Sequence, residues 1–478
     1  MTNAKKILVL CATPYSLIHI DRRVLNQCSL WVKRGWDVVL CIPHDKEENI
    51  EYVFDEHIKI NISTSILNNQ IHYQGMMYIY DFLEVPSGSI RKKTSSLDTF
   101  FLDYDLEEST IMKHIGNPKN EIELDNFKKF NNSWVSQPIG EKFSLVCFFM
   151  GILEKNDFDI VLCQDYQSIL AANIFCAKVN KKYLIDFHEF CLSYKKCTFA
   201  EQKIVKHIEG KAIKDALTIT TISDLFADFY RVEYRLDYLP YPIYNTPYSI
   251  DVSIKNLNLR GLLDINESKK IVMFHGAISI QRNLENIIDS SESLIDSNIA
   301  ILFVGYGDEK IIQRIKNTKN CYYLESVSQE TLVTIVDQVD GILVPHQSLN
   351  LNLKFCVPNR FFDAINHRKK IILNDELVYL KKVVETYKLG VVKKMNSPQD
   401  VVDAIKMAIF DYDDSQAKWD DAIQSYGYKK QIENYNKVID FVEKSLGENQ
   451  NTQEKPKLNY LDIEKNPMMT FEGLLNDE

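Results

Sequence analysis

The chain has 478 residues, of which 45% are hydrophobic, and a formal net charge of -10. That length indicates two or three domains, with cores large enough to need neither disulfides nor metals. The negative charge argues against nonspecific binding to nucleic acid, which depends on positive charge. The 10 cysteines are scattered without a CxxC pair, which is typical of reduced thiols in a cytosolic protein.

No apolar run approaches the roughly 18 residues that a membrane span requires. The run KILVLCA at 6–12 begins beside two lysines and superficially resembles a signal peptide. It breaks at Pro14, and an amphipathic helical pattern follows, so we interpret it as a buried first strand. The sequence therefore predicts a cytoplasmic protein.

The first half of the chain alternates short apolar runs with helical patterns. After the strand at 6–12, a helix with Val24, Leu25 and Trp31 on one face runs to Gly35, where glycine favours a helix end. A strand, a helix and a strand in such close succession predict a βαβ unit and a parallel sheet. Residues 45–145 are irregular and give no assignment. The further strands of the half are predicted at 37–43, 159–165, 183–189 and 217–223.

A second α/β series follows a proline-containing stretch at 236–260, which we interpret as a linker. We expect an N-terminal domain at 1–245, including the irregular insertion at about 45–145, and a C-terminal domain at 262–415. A helix at 416–446 and a polar tail at 447–478 complete the chain. The strands of the second domain are predicted at 271–276, 300–307, 341–346 and 370–375. This pattern predicts the α/β class with two doubly wound parallel sheets, in which ligands bind at the carboxyl ends of strands.

Six motifs resemble those of a known family, and they occur along the chain in the same order as in that family. The second domain contains MFHGAISIQRNLENIID, ILFVGYGDE and VPNRFFDAI, which resemble the donor-binding half of the retaining GT-B glycosyltransferases of family GT4. The first domain contains IDRRVLNQCSLWVKRGWDVVL, IDFHEF and ITTIS, which resemble the acceptor-side half. The resemblance covers about two-thirds of the chain.

The resemblance implies two Rossmann-like domains that face each other across a cleft, with the helix at 416–446 packing back across the junction. It implies a hexosyl-type transferase that moves a sugar from a nucleotide-sugar donor, with retention and without a metal or other cofactor. It favours a UDP-sugar over a GDP-sugar as co-substrate. The acceptor would be a glycan, a lipid-linked molecule or a protein in bacterial surface glycan synthesis. Peripheral association with the inner face of the plasma membrane is compatible with this interpretation.

Chemistry gives an independent reason to look for cations. A nucleoside diphosphate leaves with negative charge, which a metal or fixed arginines and helix N-termini must stabilise. Arg282 and Arg360 follow strand ends, and the resemblance places both near the departing diphosphate. It also directs His188, at the end of a first-domain strand, toward the transferred sugar. The alternative is that both arginines are solvated and His188 is a structural histidine.

The same motifs supply candidate donor contacts. The resemblance assigns Asp363 to the ribose hydroxyls, although the family usually has glutamate, and a first-turn helix acid is the alternative. Glycine at a strand end lets the backbone approach a phosphate. The family's upstream acid falls at Phe355, so the sugar hydroxyls would be met by Asn350, Asn352 or backbone amides. The predicted donor-binding set is Gly276, Gly305, Asn359, Arg360, Phe361 and Asp363.

The acceptor side is predicted from His19, Arg22 and Glu189. Here TPYSLIH replaces the glycine-rich loop of the family, so charged first turns of a helix are an equal alternative. Two DxD-like runs, Asp103–Asp105 and Asp411–Asp413, follow no convincing buried strand, and we assign both to solvated acidic turns.

Three further functions compete with transfer. An epimerase or hydrolase on the same fold would need no acceptor, and a silent GT-B subunit would scaffold a partner. The dinucleotide fingerprint GxGxxG is missing after the first strand, which disfavours an oxidoreductase.

Overall fold

The computed structural model describes residues 4–12, 22–44, 46–55, 58–66, 138–189, 199–246, 257–348 and 351–447. Contacts divide the chain into two compact units. The first comprises the described parts of Met1–Ile243 and Asn434–Phe471, and the second those of Tyr244–Glu433 and Glu472–Glu478. Among the described helices, none combines the length and the apolar composition that crossing a bilayer requires.

The first unit is built on one sheet flanked by helices. Its strands run in the order β3-β4-β2-β1-β5-β6-β7-β8, and all neighbours pair in parallel except β3 with β4. In register, Leu8 on β1 pairs with Val39 and with Val161. β5 is buried along its whole length and β2 over most of it, as the continuous apolar runs predict. The elements are β1 (Lys6–Leu10), α1 (Arg22–Lys33), β2 (Asp37–His44), β3 (Glu48–Asp55), β4 (Ile58–Ile66), α2 (Pro138–Lys155), β5 (Ile160–Gln164), α3 (Asp165–Val179), β6 (Lys182–Phe187), α4 (Phe199–Asp215), β7 (Thr218–Thr221), α5 (Asp224–Glu233) and β8 (Tyr241–Pro242).

Two parts of this sheet lie where no strand was predicted. The β3–β4 hairpin occupies the start of the irregular region, and Ile58, Ile60 and Ile62 on β4 are buried while the residues between them face outward. This alternation is the signature of a half-buried strand. β8 lies inside the predicted linker. It pairs with β7, and the Ile243 amide donates to the Thr221 carbonyl, so this stretch belongs to the sheet.

The second unit contains a six-stranded parallel sheet in the order β11-β10-β9-β12-β13-β14. Its core includes Val272, Phe274, Ile301 and Phe303, all fully buried. The elements are α6 (Leu259–Leu263), β9 (Lys270–His275), a 3₁₀ turn (Ile280–Arg282), α7 (Leu284–Ser290), a 3₁₀ turn (Glu292–Leu294), β10 (Ile299–Val304), α8 (Glu309–Asn317), β11 (Cys321–Leu324), α9 (Gln329–Asp337), β12 (Gly341–Val344), α10 (Leu351–Lys354), α11 (Asn359–Asn366), β13 (Lys370–Asn374), α12 (Val378–Tyr387), β14 (Gly390–Lys393), α13 (Pro398–Lys406), a π-helical turn (Met407–Asp411), a 3₁₀ turn (Asp414–Gln416), α14 (Trp419–Tyr426) and α15 (Tyr428–Gly447).

The end of α15 belongs to the first unit. From Asn434 onward its residues pack with that unit. The indole N–H of Trp31 on α1 donates to the Tyr435 hydroxyl at 3.1 Å, and the indole N–H of Trp36 donates to Glu443 at 3.0 Å. The tail at 447–478 lies outside the described residues beyond Gly447.

Candidate active site

The site in the second unit lies at the point where its strand order reverses. β9 is flanked by β10 on one side and by β12 on the other. After β9 the chain adds β10 and β11 toward one edge of the sheet, whereas after β12 it adds β13 and β14 toward the opposite edge. In doubly wound sheets this reversal opens a crevice at the carboxyl ends of the strands. β9 ends at His275, just before Gly276, and β12 ends at Val344.

Arg360 reaches this crevice from the first turn of α11. Its side chain is 5% exposed, and the guanidinium carbon lies 3.9 Å from the centroid of the Phe274 ring. Nη1 is buried and has no hydrogen-bond partner in the part of the chain that the structure describes. The alternative of a solvated surface arginine is therefore wrong for Arg360, because its charge is held inside, over an aromatic face.

Gly276 makes room for that guanidinium. Its φ is +115°, and a Cβ built there would lie 2.9 Å from Nη2 of Arg360. Sequence reasoning selected Gly276 for the close approach of a phosphate. The structure adds a second reason for glycine, which is the close approach of a cationic side chain.

Arg282 adds a second positive charge. It ends the 3₁₀ turn that follows β9, is half-buried, and forms no side-chain hydrogen bond or ion pair with any described residue. Burial, followed by repulsion from Arg282, holds the pKa of Arg360 well below its usual range, and Asp363 offsets only part of this. Two guanidinium groups that repel each other and lack hydrogen-bond acceptors form a site suited to an anion.

Asp363 lies one turn beyond Arg360 on α11. It is 1% exposed, and its Oδ2 lies 3.3 Å from Nε2 of His275. The side chain therefore points into the unit beside the end of β9, rather than outward as a solvated acid at a helix start would. Its predicted contact with ribose stays a prediction.

The other predicted donor contacts differ in character. A Cβ on Gly305 would lie 2.0 Å from the Gly276 carbonyl oxygen, so glycine is required there by the packing of one backbone on another. Phe361 is 1% exposed and packs edge-on against Phe362, which leaves only its backbone for a ligand. Asn359 is the first residue of α11 and is half-buried.

Sequence reasoning missed His346. This residue follows β12, is fully buried, and has no partner for either ring nitrogen among the described residues. Burial and the positive charges of Arg282 and Arg360 hold its pKa well below the usual range. The criterion that selected His188, a histidine just after a strand, would also have selected His346.

The first unit contains a second polar cluster, centred on Asp186 at the end of β6. Arg23 binds both carboxylate oxygens, with Nε at 2.8 Å and Nη2 at 2.5 Å, and Gln27 donates at 2.8 Å. His188 Nε2 lies 2.7 Å from Oδ2. Burial opposes the charge on Asp186, but Arg23 and His188 outweigh it and hold the pKa of Asp186 well below its usual range. His188 is thus held by a charged carboxylate that sequence reasoning did not select.

The predicted acceptor-side residues are only partly described. Arg22 begins α1 and is half-buried, and the Glu189 carbonyl accepts from the Tyr230 hydroxyl at 3.2 Å. His19, Asn350 and the side chain of Asn352 lie outside the described residues. Phe355, at the family's acidic position, is fully buried.

Within the described ranges, no group of three or more His, Cys, Asp or Glu side chains could hold a metal ion. Asp411 and Asp413 are exposed, and Asp413 accepts from the Ser415 amide at 2.9 Å, as expected for a solvated acidic turn. Asp103–Asp105 lies outside the described residues.

The architecture matches solved structures over most of the chain. A sucrose-phosphate synthase from Thermosynechococcus elongatus aligns with a TM-score of 0.59 at 10% identity, covering 92% of this chain and 99% of that one. Anabaena HepE in complex with UDP and glucose aligns with a TM-score of 0.55 at 12% identity, covering 92% and 100%. The lipopolysaccharide outer core galactosyltransferase WaaB aligns with a TM-score of 0.51 at 12% identity, covering 91% and 99%.

These structures share the GT-B fold of two Rossmann-like units, and the chain has that fold. The predicted fold class is confirmed. No family model matches the chain, and no curated protein matches it by sequence.

Proposed function

We propose that the protein is a glycosyltransferase that uses a nucleotide-sugar donor. The observation that carries the proposal is the pair of arginines at the strand-order reversal of the second unit. Arg360 is buried with an unmet Nη1, and Arg282 lies close enough to lower its pKa. A diphosphate would supply hydrogen-bond acceptor oxygens to both guanidinium groups, and its negative charge would balance their positive charges.

The proposed reaction breaks the bond between the anomeric carbon and the β-phosphate oxygen, and the nucleoside diphosphate leaves with the electron pair. The oxygen of an acceptor hydroxyl forms the new glycosidic bond, and its proton passes to an oxygen of the departing diphosphate. Arg282 and Arg360 stabilise the departing diphosphate because their charge is fixed in advance and partly shielded from water. The neighbours' UDP and glucose complexes support a UDP-sugar, and retention follows from the resemblance to family GT4.

The acceptor is proposed from the same resemblance. A glycan, a lipid-linked molecule or a protein in bacterial surface glycan synthesis is compatible with the fold shared with WaaB, a lipopolysaccharide outer core galactosyltransferase. A cytoplasmic enzyme that meets its acceptor at the inner face of the plasma membrane fits this proposal.

A ligand screen tests the donor assignment. Thermal unfolding is measured with UDP, GDP, ADP, CMP and their sugar conjugates. A ligand present at 100 times its Kd stabilises the folded protein by about 2.7 kcal/mol, and we expect the UDP series to give the largest shift. If no nucleotide shifts the transition, the proposal fails.

A chelation experiment tests the role of the arginines. Because fixed guanidiniums carry the charge that a metal would otherwise supply, we expect donor turnover to persist in EDTA. Loss of activity in EDTA, with recovery on adding Mg²⁺ or Mn²⁺, would contradict the assignment of the arginines. Release of free sugar without acceptor would favour the hydrolase alternative, and nucleotide binding without turnover across a broad acceptor panel would favour the silent subunit.

A further inference from the structure

His346 is held rigidly beside the proposed donor site. It lies two residues beyond the end of β12 and is 0% exposed. Its carbonyl oxygen accepts from Nδ2 of Asn374 at 2.9 Å, and Asn374 is itself fully buried at the end of β13. The side-chain amide of Asn374, at the end of β13, therefore holds the backbone of His346, which follows the neighbouring strand β12.

The imidazole of His346 offers two unmatched polar atoms. Neither Nδ1 nor Nε2 has a hydrogen-bond partner within the described part of the chain. Burial and the charges of Arg282 and Arg360 keep the pKa of His346 well below its usual range, so the ring is neutral at neutral pH. A neutral imidazole carries one N–H donor and one acceptor nitrogen, and leaving both buried without partners is unfavourable.

The identity of the missing partner follows from this pairing of donor and acceptor. A phosphate oxygen without a proton accepts hydrogen bonds only, and would leave the acceptor nitrogen of His346 unmatched. A hydroxyl group can donate to that acceptor nitrogen, which an unprotonated phosphate oxygen cannot do, and it can equally accept from the N–H. Arg282 and Arg360 already provide the charge that a diphosphate needs, and the sugar of the donor is joined directly to that diphosphate.

We propose that His346 recognises a hydroxyl group of the transferred sugar and thereby contributes to the choice of sugar. This inference rests on the proposed function. His346 is fully buried, so a ligand reaches its ring only after a side chain moves, and Arg282, whose charge lowers the pKa of His346, is suited to this. It is half-buried, and its guanidinium forms no hydrogen bond with the described residues, so a diphosphate can draw it away without breaking an existing pair.

The test compares a nucleotide with and without its sugar, using the full chain. The Kd values of UDP, UDP-glucose and UDP-galactose are measured by calorimetry for the wild type, His346→Phe and His346→Asn. Phenylalanine keeps a flat ring and removes both nitrogens, whereas asparagine keeps one donor and one acceptor. His367→Phe is the matched control, because His367 lies in the same unit and pairs with Asp337 at 2.7 Å.

We expect His346→Phe to bind UDP within about twofold of the wild type. Its affinity for the preferred UDP-sugar should fall about 10- to 100-fold, because a site built to pair with a hydroxyl loses that pairing. His346→Asn should recover part of this affinity, and His367→Phe should match the wild type. Melting curves identify the folded variants, and His346→Asn carries the test if His346→Phe does not fold.

Three results would overturn the inference. An equal loss of affinity for UDP and UDP-sugar would make His346 a ligand of the diphosphate or ribose. Unchanged affinities for both would make it a structural residue. A wild type that binds UDP without preferring any UDP-sugar would leave no sugar contact to assign, whereas a wild type that binds no nucleotide at all refutes the proposed function itself.

Discussion

At the scale of single residues, Arg360 is a candidate binding group because of the partners that its buried side chain lacks. A buried guanidinium normally has a carboxylate partner, because an unpaired buried charge is costly. Arg360 has instead the face of Phe274, a repelling Arg282 and an unmet Nη1. The sequence identified the residue type and its place near a helix start, and the structure puts Arg360 in the first turn of α11. It gave no sign that the side chain is buried, because burial depends on Gly276, which is distant in sequence.

Replacing Arg360 by methionine separates binding from folding. Methionine retains much of the volume over Phe274 but removes a desolvated charge, so we expect an apo melting temperature equal to or above that of the wild type. The kcat for transfer should fall at least a hundredfold, on the order of 2.7–4 kcal/mol for one lost charge-stabilising donor. Arg360→Lys should recover only part, because a point charge replaces a two-pronged donor. Normal turnover by folded Arg360→Met would remove this residue from the site.

Asp186 gives a prediction about acid. Its pKa in the folded protein lies well below the ordinary value of about 3.9. A depressed folded pKa contributes stability above the unfolded pKa, and this contribution disappears as pH falls from about 4 toward the folded pKa. At pH 7 we expect Asp186→Asn to lose about 3–5 kcal/mol, because Arg23 keeps a buried charge without its partner.

Denaturant unfolding at pH 7 and at several pH values below 4 measures this effect. The difference between wild type and Asp186→Asn should shrink as the pH falls. Glu154→Gln, at an exposed position on α2 of the same unit, is the matched control and should change stability little at any pH. A constant difference between wild type and Asp186→Asn across the range would show that the charge on Asp186 does not carry the effect.

At the scale of elements, strands that are apolar along their whole length were predicted well. β1, β5, β9 and β12 all lie within a residue or two of the predicted ranges, because burial on both faces leaves an unbroken apolar run. β10 begins one residue before its predicted range and ends three residues short of it. The sequence was less informative where burial is one-sided or brief. The residues of β3 and β4 alternate between more buried and more exposed positions near the edge of the sheet. β8 has only two residues. Pairing with neighbouring strands, rather than a local sequence pattern, therefore defines these strands.

The two strand-end glycines of the second unit should respond differently to alanine. A Cβ at Gly305 would meet the backbone oxygen of Gly276 at 2.0 Å, where nothing flexible can yield. We expect Gly305→Ala to cost about 1–3 kcal/mol or more. A Cβ at Gly276 would instead meet the end of the Arg360 side chain at 2.9 Å. Both glycines have a positive φ, so alanine strains the backbone at either position. Only Gly305→Ala adds a clash with another backbone, so Gly276→Ala should displace the guanidinium at a smaller cost in stability.

Melting curves with and without UDP distinguish the two glycines. Gly276→Ala should lower the apo melting temperature less than Gly305→Ala does, and it should lose most of its shift with UDP. Gly305→Ala should show the reverse order of effects, with a large loss in the apo protein. Equal responses of the two variants would refute the distinction between a glycine that accommodates a side chain and one that accommodates a backbone.

At the scale of the whole molecule, the division into two units with separate sheets predicts how the protein unfolds. Each sheet has its own buried core, so we expect calorimetry to resolve two transitions. UDP at 100 times its Kd should stabilise one of them by about 2.7 kcal/mol, because the arginine pair lies wholly in the second unit. Asp186→Asn should lower the temperature of the other transition, since the Asp186 cluster lies in the first unit.

Arg360→Met should abolish the shift with UDP while leaving both apo transitions in place. If UDP and Asp186→Asn act on the same transition, the two units do not unfold independently, and the continuous helix α15, which contributes residues to both, becomes the element that couples them.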